Sequence, residues 1–372
     1  MMRIKYYLFI IGIILGQTGT GAAVKWHPGH YFTIMPHIMD KRSSGGPLEE
    51  AFKELQDSQT LRGMQIRLFW AELETSKDKY NFADIDYFLN RMKKMNKRLV
   101  IQVVTKSFSP TKKLVPDYLK ASDYEGGVFA YASHVGRDGD KHKGDNIKLW
   151  NSNVLERLVK LMKALGDRYN SDSHFEAIGF IESAFGKPLS TVSSAQMSQF
   201  YDNMIVINKK TKEAFPNTVV IQELNYPREQ MGKVVNGLAA FGGGLSCPDL
   251  FPDEPGLNTS KGDLGIYHHF RNKAGSVPIA PTVMQTNYLS TSLSGAKKLN
   301  PKAPPGSHIP SISELITFSH NNLKANYIFW TRDDNRNYKH VLTELNQASY
   351  KANPQGTLEI GCPSAFNSCN KD

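Results

Sequence analysis

Glu182 is the side chain in this sequence best placed to move a proton. It follows the apolar run 175–181 and precedes Ser183, Ala184, Phe185 and Gly186, so its carboxyl group is expected among apolar and aromatic neighbours. Loss of hydration favours the neutral form of a carboxyl group, which is the form a general acid needs. A structural carboxylate bonded to a base such as Arg67 is the alternative. Acid/base chemistry of this kind usually takes two carboxyl groups, and Glu223, Asp249, Asp253 and Asp333 are the candidates for the second. Glu223 ends the apolar run 219–222 and is followed by Asn225 and Tyr226. Asp249 lies between Pro248 and Pro252, whose fixed φ angles stiffen the turn. Glu223 ranks first and Asp249 second.

These residues share a position in a repeating pattern. Short β-rich runs at 31–38, 64–70, 98–104, 177–182, 219–224, 244–250, 279–285 and 326–330 alternate with segments of helical spacing, such as Ile85, Phe88, Leu89 and Met92 or Leu155, Leu158, Val159 and Met162. Strand–helix repeats without a break in composition predict an α/β protein with a parallel sheet, closed as a single (β/α)8 TIM barrel. Trp70, Glu182, Glu223, Asp249, Gln285 and Trp330 then fall at the ends of strands, the rim where such barrels build their sites. Two connections are unusually long, 105–152 and 289–311, and are expected to wall the rim. Asp138, Asp140 and Asp145 in the first lack the ligand period and closing Glu of a calcium loop, so no metal is expected. His268 and His269 are expected on the helix after the sixth strand.

The chain of 372 residues is 40% hydrophobic and 22% charged, which excludes disordered and collagen-like classes. Residues 1–23 read as a signal peptide: Arg3 and Lys5, an apolar run at 6–15, then the small residues Gly21, Ala22 and Ala23. That run is well short of the roughly 20 residues that span a bilayer. The barrel is therefore expected to occupy 24–372 and to be secreted or periplasmic, without stable membrane insertion. Without Arg3 and Lys5 the formal charge of +10 falls to +8. The lysines are scattered and lack an RNA-binding aromatic motif, so nucleic acid is not an expected partner. A solvated lysine-rich surface is the plain reading, and attraction to an anionic polysaccharide the functional one. Cys362 and Cys369 are expected to close a disulfide over a short terminal loop, leaving Cys247 alone. No cofactor is expected, and the oligomeric state is not legible.

The segment 67–74 (Arg67, Trp70, Glu72, Glu74) with 79–86 (Tyr80, Phe82, Ile85, Asp86) resembles the second-strand region of the clan A glycoside hydrolases, especially their β-galactosidase-like members. Leu149-Trp150-Asn151 and the approach through 175–182 resemble that group's fourth strand and its acid/base Glu, and 327–330 its eighth strand. The resemblance implies an exported glycosidase acting on a poly- or oligosaccharide, with Glu182 as acid/base. By residue type and position at or near the rim, Trp70, Trp150, Tyr226, Tyr288 and Trp330 offer aromatic faces to a sugar, and Arg67, His37, Gln102, Gln285, Asn287 and Arg332 offer hydrogen bonds. Two departures stand out. Ile181 replaces the Asn that precedes the acid/base Glu, and the seventh strand ends in Met284-Gln285-Thr286-Asn287 where the family has its nucleophile Glu. Glycoside hydrolysis needs a second carboxylate, about 5–5.5 Å away for a retaining route or about 6.5–9.5 Å for an inverting one, and which route applies stays open. A carbohydrate-binding barrel without catalysis and a polysaccharide lyase are the alternatives.

Overall fold

The computed structural model describes residues 23–40, 42–132, 141–284, 310–332, 338–353 and 358–372. The proposed leader, the connection 289–309, Asp138 and Asp140, Gln285, Asn287, Tyr288 and Asp333 lie outside the described residues.

Eight parallel strands form the centre: β1 Gly29–Ile34, β2 Leu61–Phe69, β3 Arg98–Val104, β4 Phe175–Phe180, β5 Val219–Glu223, β6 Gly244–Ser246, β7 Thr282–Val283 and β8 Tyr327–Arg332. They pair in the order β6-β5-β4-β3-β2-β1-β8-β7. The ring closes where Leu245 N donates to Pro278 O and Ala280 N donates to Leu245 O, both at 2.8 Å. The structure is a (β/α)8 barrel. Strand ends depart from the expected ones where proline intervenes. Pro36 opens a short helix after β1, and Pro248 follows β6 closely. Pro278 and Pro281 reduce β7 to two residues, since proline gives the ladder no N–H.

The surrounding helices are α1 Pro47–Asp57, α2 Ala83–Lys94, α3 Ser152–Tyr169, α4 Ser194–Ala214, α5 Arg228–Ala239, α6 Ile266–Lys273, α7 Ile312–Phe318 and α8 Lys339–Leu345. α3 shows why they form. Asn151 caps it by accepting from the N–H groups of Asn153 and Val154, and Val154, Leu158, Leu161, Met162 and Leu165 bury one stripe. His268 and His269 lie on α6. Among the described residues, no helix is long and apolar enough to cross a membrane.

The lumen is divided by chemistry. Toward the N-terminal ends of the strands, Tyr31, Val100, Ala177, Val219, Tyr327 and Phe329 pack as one apolar cluster with Trp26. Toward the C-terminal ends the lumen is polar: Thr33 donates to Gln65 at 2.8 Å, and Arg67, Gln102, Glu223 and Thr282 are buried beside them. Alternation along each strand makes this division, because Gln65 and Arg67 on β2, or Val219, Ile221 and Glu223 on β5, share the inward face. Below the lumen, Val24–Lys25 pairs in parallel with Cys369–Asn370, and Cys369 is disulfide-bonded to Cys362.

The connection after β3 adds a hairpin, Val128–Ala132 against His142–Ile147, and Lys187–Pro188 after β4 joins its edge. Two glycines permit this wall. A Cβ at Gly144 would lie 2.1 Å from the Ser107 carbonyl oxygen, and one at Gly186, whose φ is +84°, would meet the Tyr131 ring at 2.5 Å.

Candidate active site at the C-terminal rim

Glu182 leaves the barrel two residues beyond β4, and Lys106 does the same beyond β3. Val103 is in register with Phe180, so the two side chains emerge nearly level on neighbouring strands. Lys106 Nζ donates to Glu182 Oε1 at 2.5 Å and to the Ala184 carbonyl at 2.7 Å, and Asn225 Nδ2 donates to Glu182 Oε2 at 2.9 Å. This corrects the apolar setting expected from the sequence. Phe185 stacks on Phe129 while still lining the cleft, and the buried Lys106 cation lies beside the carboxyl group. Both Glu182 oxygens therefore accept a hydrogen bond, one of them from a cation.

Glu223 ends β5 one strand further round and is completely enclosed. Arg67 Nη2 and Thr282 Oγ1 each donate to its Oε1 at 3.2 Å. Burial pushes its carboxyl group above the usual range; the Arg67 charge and the Gln102 and Thr282 dipoles oppose that shift, and the negative charge of Glu182 adds to it. The two acids therefore feel one another, and the buried one is the member that favours holding a proton. Arg67 Nε and Gln102 Oε1, both buried, have no partner among the described residues.

Glu182 opens on a cleft of about 690 Å³ between the hairpin wall and the start of α5. Phe108 lines it with 55% of its surface exposed, and Tyr131 and Tyr226 line it further in. Tyr226 donates to Glu254 at 3.2 Å and precedes a cis peptide bond to Pro227. Asp249 lies on the rim beyond β6, where its charge reaches Cys247 and Tyr226. Asp253 lines a separate hollow with Glu314 and Phe318. Cys247 is buried, and burial pushes its thiol well up, away from the thiolate form. Among the described residues no three His, Cys, Asp or Glu side chains gather as a metal site.

Of the side chains expected at sugar, Arg67, Gln102 and Tyr226 join this group, together with Glu182 and Glu223. Four others are placed elsewhere, Trp330 and Arg332 by the strand period, Trp70 at the start of a short helix and Trp150 in the turn before α3. Trp70 is fully buried and donates to Glu74 at 2.9 Å. Trp150 packs on Phe129 and donates to Glu125 at 3.3 Å. Trp330 faces out of the barrel and donates to His30 at 3.1 Å. Arg332, on the same outward face, donates to Glu54 at 2.7 Å and to Tyr338 at 2.9 Å, tying β8 to α1. These four are packing side chains in this structure. The sequence reading missed Lys106, Phe108 and Thr282. Lys106 carried a readable signal, because it follows its strand at the same offset as Glu182.

No family model matches the sequence, and no curated protein is similar to it in sequence. The fold has solved counterparts among glycoside hydrolases. The catalytic domain of β-amylase from Paenibacillus polymyxa superposes with a TM-score of 0.58 at 9% identity, over 86% of this chain and 98% of that one. The β-galactosidase from Bacillus circulans sp. alkalophilus gives 0.52 at 11% identity over 82% of this chain, and that from Rahnella sp. R3 gives 0.50 at 12% over 84%. This chain spans about half the length of those two β-galactosidases, 50% and 51%. The chain thus resembles clan A glycoside hydrolases in its barrel, and at these identities the barrel is what is shared.

Proposed function

We propose that this barrel hydrolyses glycosidic bonds, with Glu182 and Glu223 as its two working carboxyl groups. One observation carries the reading: acids from adjacent strand ends lie within reach of each other's charge, one ion-paired at a cleft and the other buried and inclined to hold its proton. Such a split is how one site supplies both an acid and a base. Glu223 lies beneath the cleft and does not line it, so it supplies its proton to the leaving oxygen through one water. Glu182 acts as the carboxylate, stabilising the positive charge that develops on the sugar or activating water. This reverses the acid role that apolar surroundings would have given Glu182. Asp249 is the reserve candidate for the second acid, after Glu223. Residues 1–23 act as an export leader, a reading supported by their charge and apolar run and by the Cys362–Cys369 disulfide.

The test is hydrolysis of a glycan panel by Glu182→Gln and Glu223→Gln. Each is expected to lower kcat by about 10²–10⁴-fold, the usual range for losing a proton-transfer group. Undiminished turnover in either variant removes that residue from the mechanism. A second reading, a barrel that binds glycan without cleaving it, is favoured by the full occupancy of both Glu182 oxygens by Lys106 and Asn225. Tight binding without release of reducing ends would select it.

A further inference from the structure

The cleft above Glu182 carries more positive charge than a neutral sugar requires. Lys106 is committed to Glu182 and to the Ala184 carbonyl. Lys143 on the outer hairpin strand and Arg228 at the first position of α5 also line the cleft, and neither side chain makes an ion pair or hydrogen bond with another described residue. Glu229 is the one other acid lining the cleft among the described residues, and it sits beside Arg228 in sequence. Two unpaired cations thus reach one cleft from different connections, after β3 and after β5. The segment that follows β3 adds Phe108, the most exposed of the large apolar side chains described, with the Lys106 ammonium 5.2 Å from its ring centre.

An exposed lysine in isolation would mean little. A concave site with low-dielectric walls differs, because it concentrates the field of the charges that line it. Arg228 adds a planar donor fork that matches a carboxylate or a sulfate with two parallel hydrogen bonds. Phe108 offers a flat face for the apolar side of a pyranose ring. A neutral sugar could accept hydrogen bonds from both cations but would leave their charge uncompensated.

We infer that the cleft is a subsite for acidic sugar units, in which Phe108 receives the ring and Arg228 and Lys143 meet its carboxylate or sulfate group. The inference rests on the glycosidase reading for the idea that the cleft holds sugar. It does not depend on cleavage taking place there.

The full chain is titrated with two matched pairs of glycans: polygalacturonate against its methyl ester, and a sulfated galactan against its desulfated form. The charged member of at least one pair is expected to bind about tenfold tighter than its neutral partner, one bidentate ion pair's worth of affinity. Preference within the first pair identifies a carboxylate subsite, and within the second a sulfate subsite. That preference should shrink to about threefold or less in Arg228→Gln/Lys143→Gln, with an unchanged melting curve, and in about 0.5 M salt, where surface charges are screened. Equal binding of charged and neutral members in both pairs overturns the inference, as does a preference that survives the double substitution. Failure of the hydrolase reading looks different: charged glycans would be preferred without being cut. Neutral and charged glycans cut equally well would sink the subsite and leave the hydrolase standing.

Discussion

Two carboxyl groups are completely buried at opposite ends of this barrel, and their surroundings could hardly differ more. At the bottom, Glu176 receives the His27 N–H, lies 2.7 Å from His27 Nδ1, and accepts from the Tyr327 hydroxyl at 2.7 Å. Burial alone would raise its carboxyl group, but the His27 and Tyr327 bonds outweigh it and hold the group below the usual range. At the top, Glu223 has two donors at 3.2 Å and an acid for a neighbour, and burial wins. A buried polar atom left without a partner costs about 1–3 kcal/mol, and the top of the lumen carries two of them, on Arg67 and Gln102. A saturated carboxylate contributes to folding. An under-supplied one, with idle polar atoms beside it, is the arrangement found where a ligand supplies what is missing.

The same substitution should act oppositely at the two ends of the barrel. Glu223→Gln should lower kcat by about 10²–10⁴-fold, whereas Glu176→Gln should leave the turnover of the folded protein close to that of the parent, measured as initial rates corrected for active fraction. Stability should rank the other way. Glu176→Gln is expected to cost about 2–4 kcal/mol in urea unfolding, because an amide must turn its NH2 toward one of the donors around it. Glu223→Gln should change stability by about 1 kcal/mol at most, since the amide oxygen can keep the Arg67 and Thr282 bonds made to Oε1.

The two acids should also respond to pH with opposite sign. Glu223 is raised in the folded state, so between the ordinary glutamate value and its folded value the native protein holds more protons than the unfolded chain, and stability falls as pH rises through that window. Glu176 is lowered, so its contribution is fully present above the ordinary value and is lost as pH falls through its folded value. Unfolding curves at a series of pH values should lose the first slope in Glu223→Gln and the second in Glu176→Gln. If Glu223 is the acid in turnover, the fall of kcat/KM on the alkaline side should disappear with it. The smallest effect on function is expected at Trp330→Phe, which should cost about 2–3 kcal/mol of stability through the lost bond to His30 and the space left by the indole, and leave glycan affinity unchanged in titration.

The barrel was readable because strand and helix periods alternate along the chain without interruption; strand phase marked Glu182 and Glu223, while Arg67, inside its strand, stood out only as a base for Glu182 and in the second-strand resemblance. Phase says which residue ends a strand; the period of two says which way it points. Applied together they separate the site from the packing: Trp330 and Arg332 share a face with Ile328, opposite Tyr327 and Phe329, and so belong to the helices outside. Phase applied to the third strand would also have found Lys106. What lay beyond the sequence was the meeting of Lys106 with Glu182 and of Arg67 with Glu223. These depend on register between neighbouring strands and on a hairpin that Gly144 lets settle against Ser107. The shortness of β7 was hidden for a different reason: Pro278 and Pro281 thin its ladder without disturbing its apolar pattern.

The placing of β1 between β2 and β8 sets a timetable for synthesis. β1 leaves the ribosome roughly 300 residues before its partner Tyr327–Arg332, a wait of roughly 15–60 s at 5–20 residues per second. Until then one edge of the nascent sheet is open, with unpaired N–H and C=O groups available to any other strand. The Val24–Lys25 pairing with Cys369–Asn370 comes later still. Substitutions that weaken β8 should therefore be felt first as lost yield of newly made protein, before any change is measurable in the finished barrel.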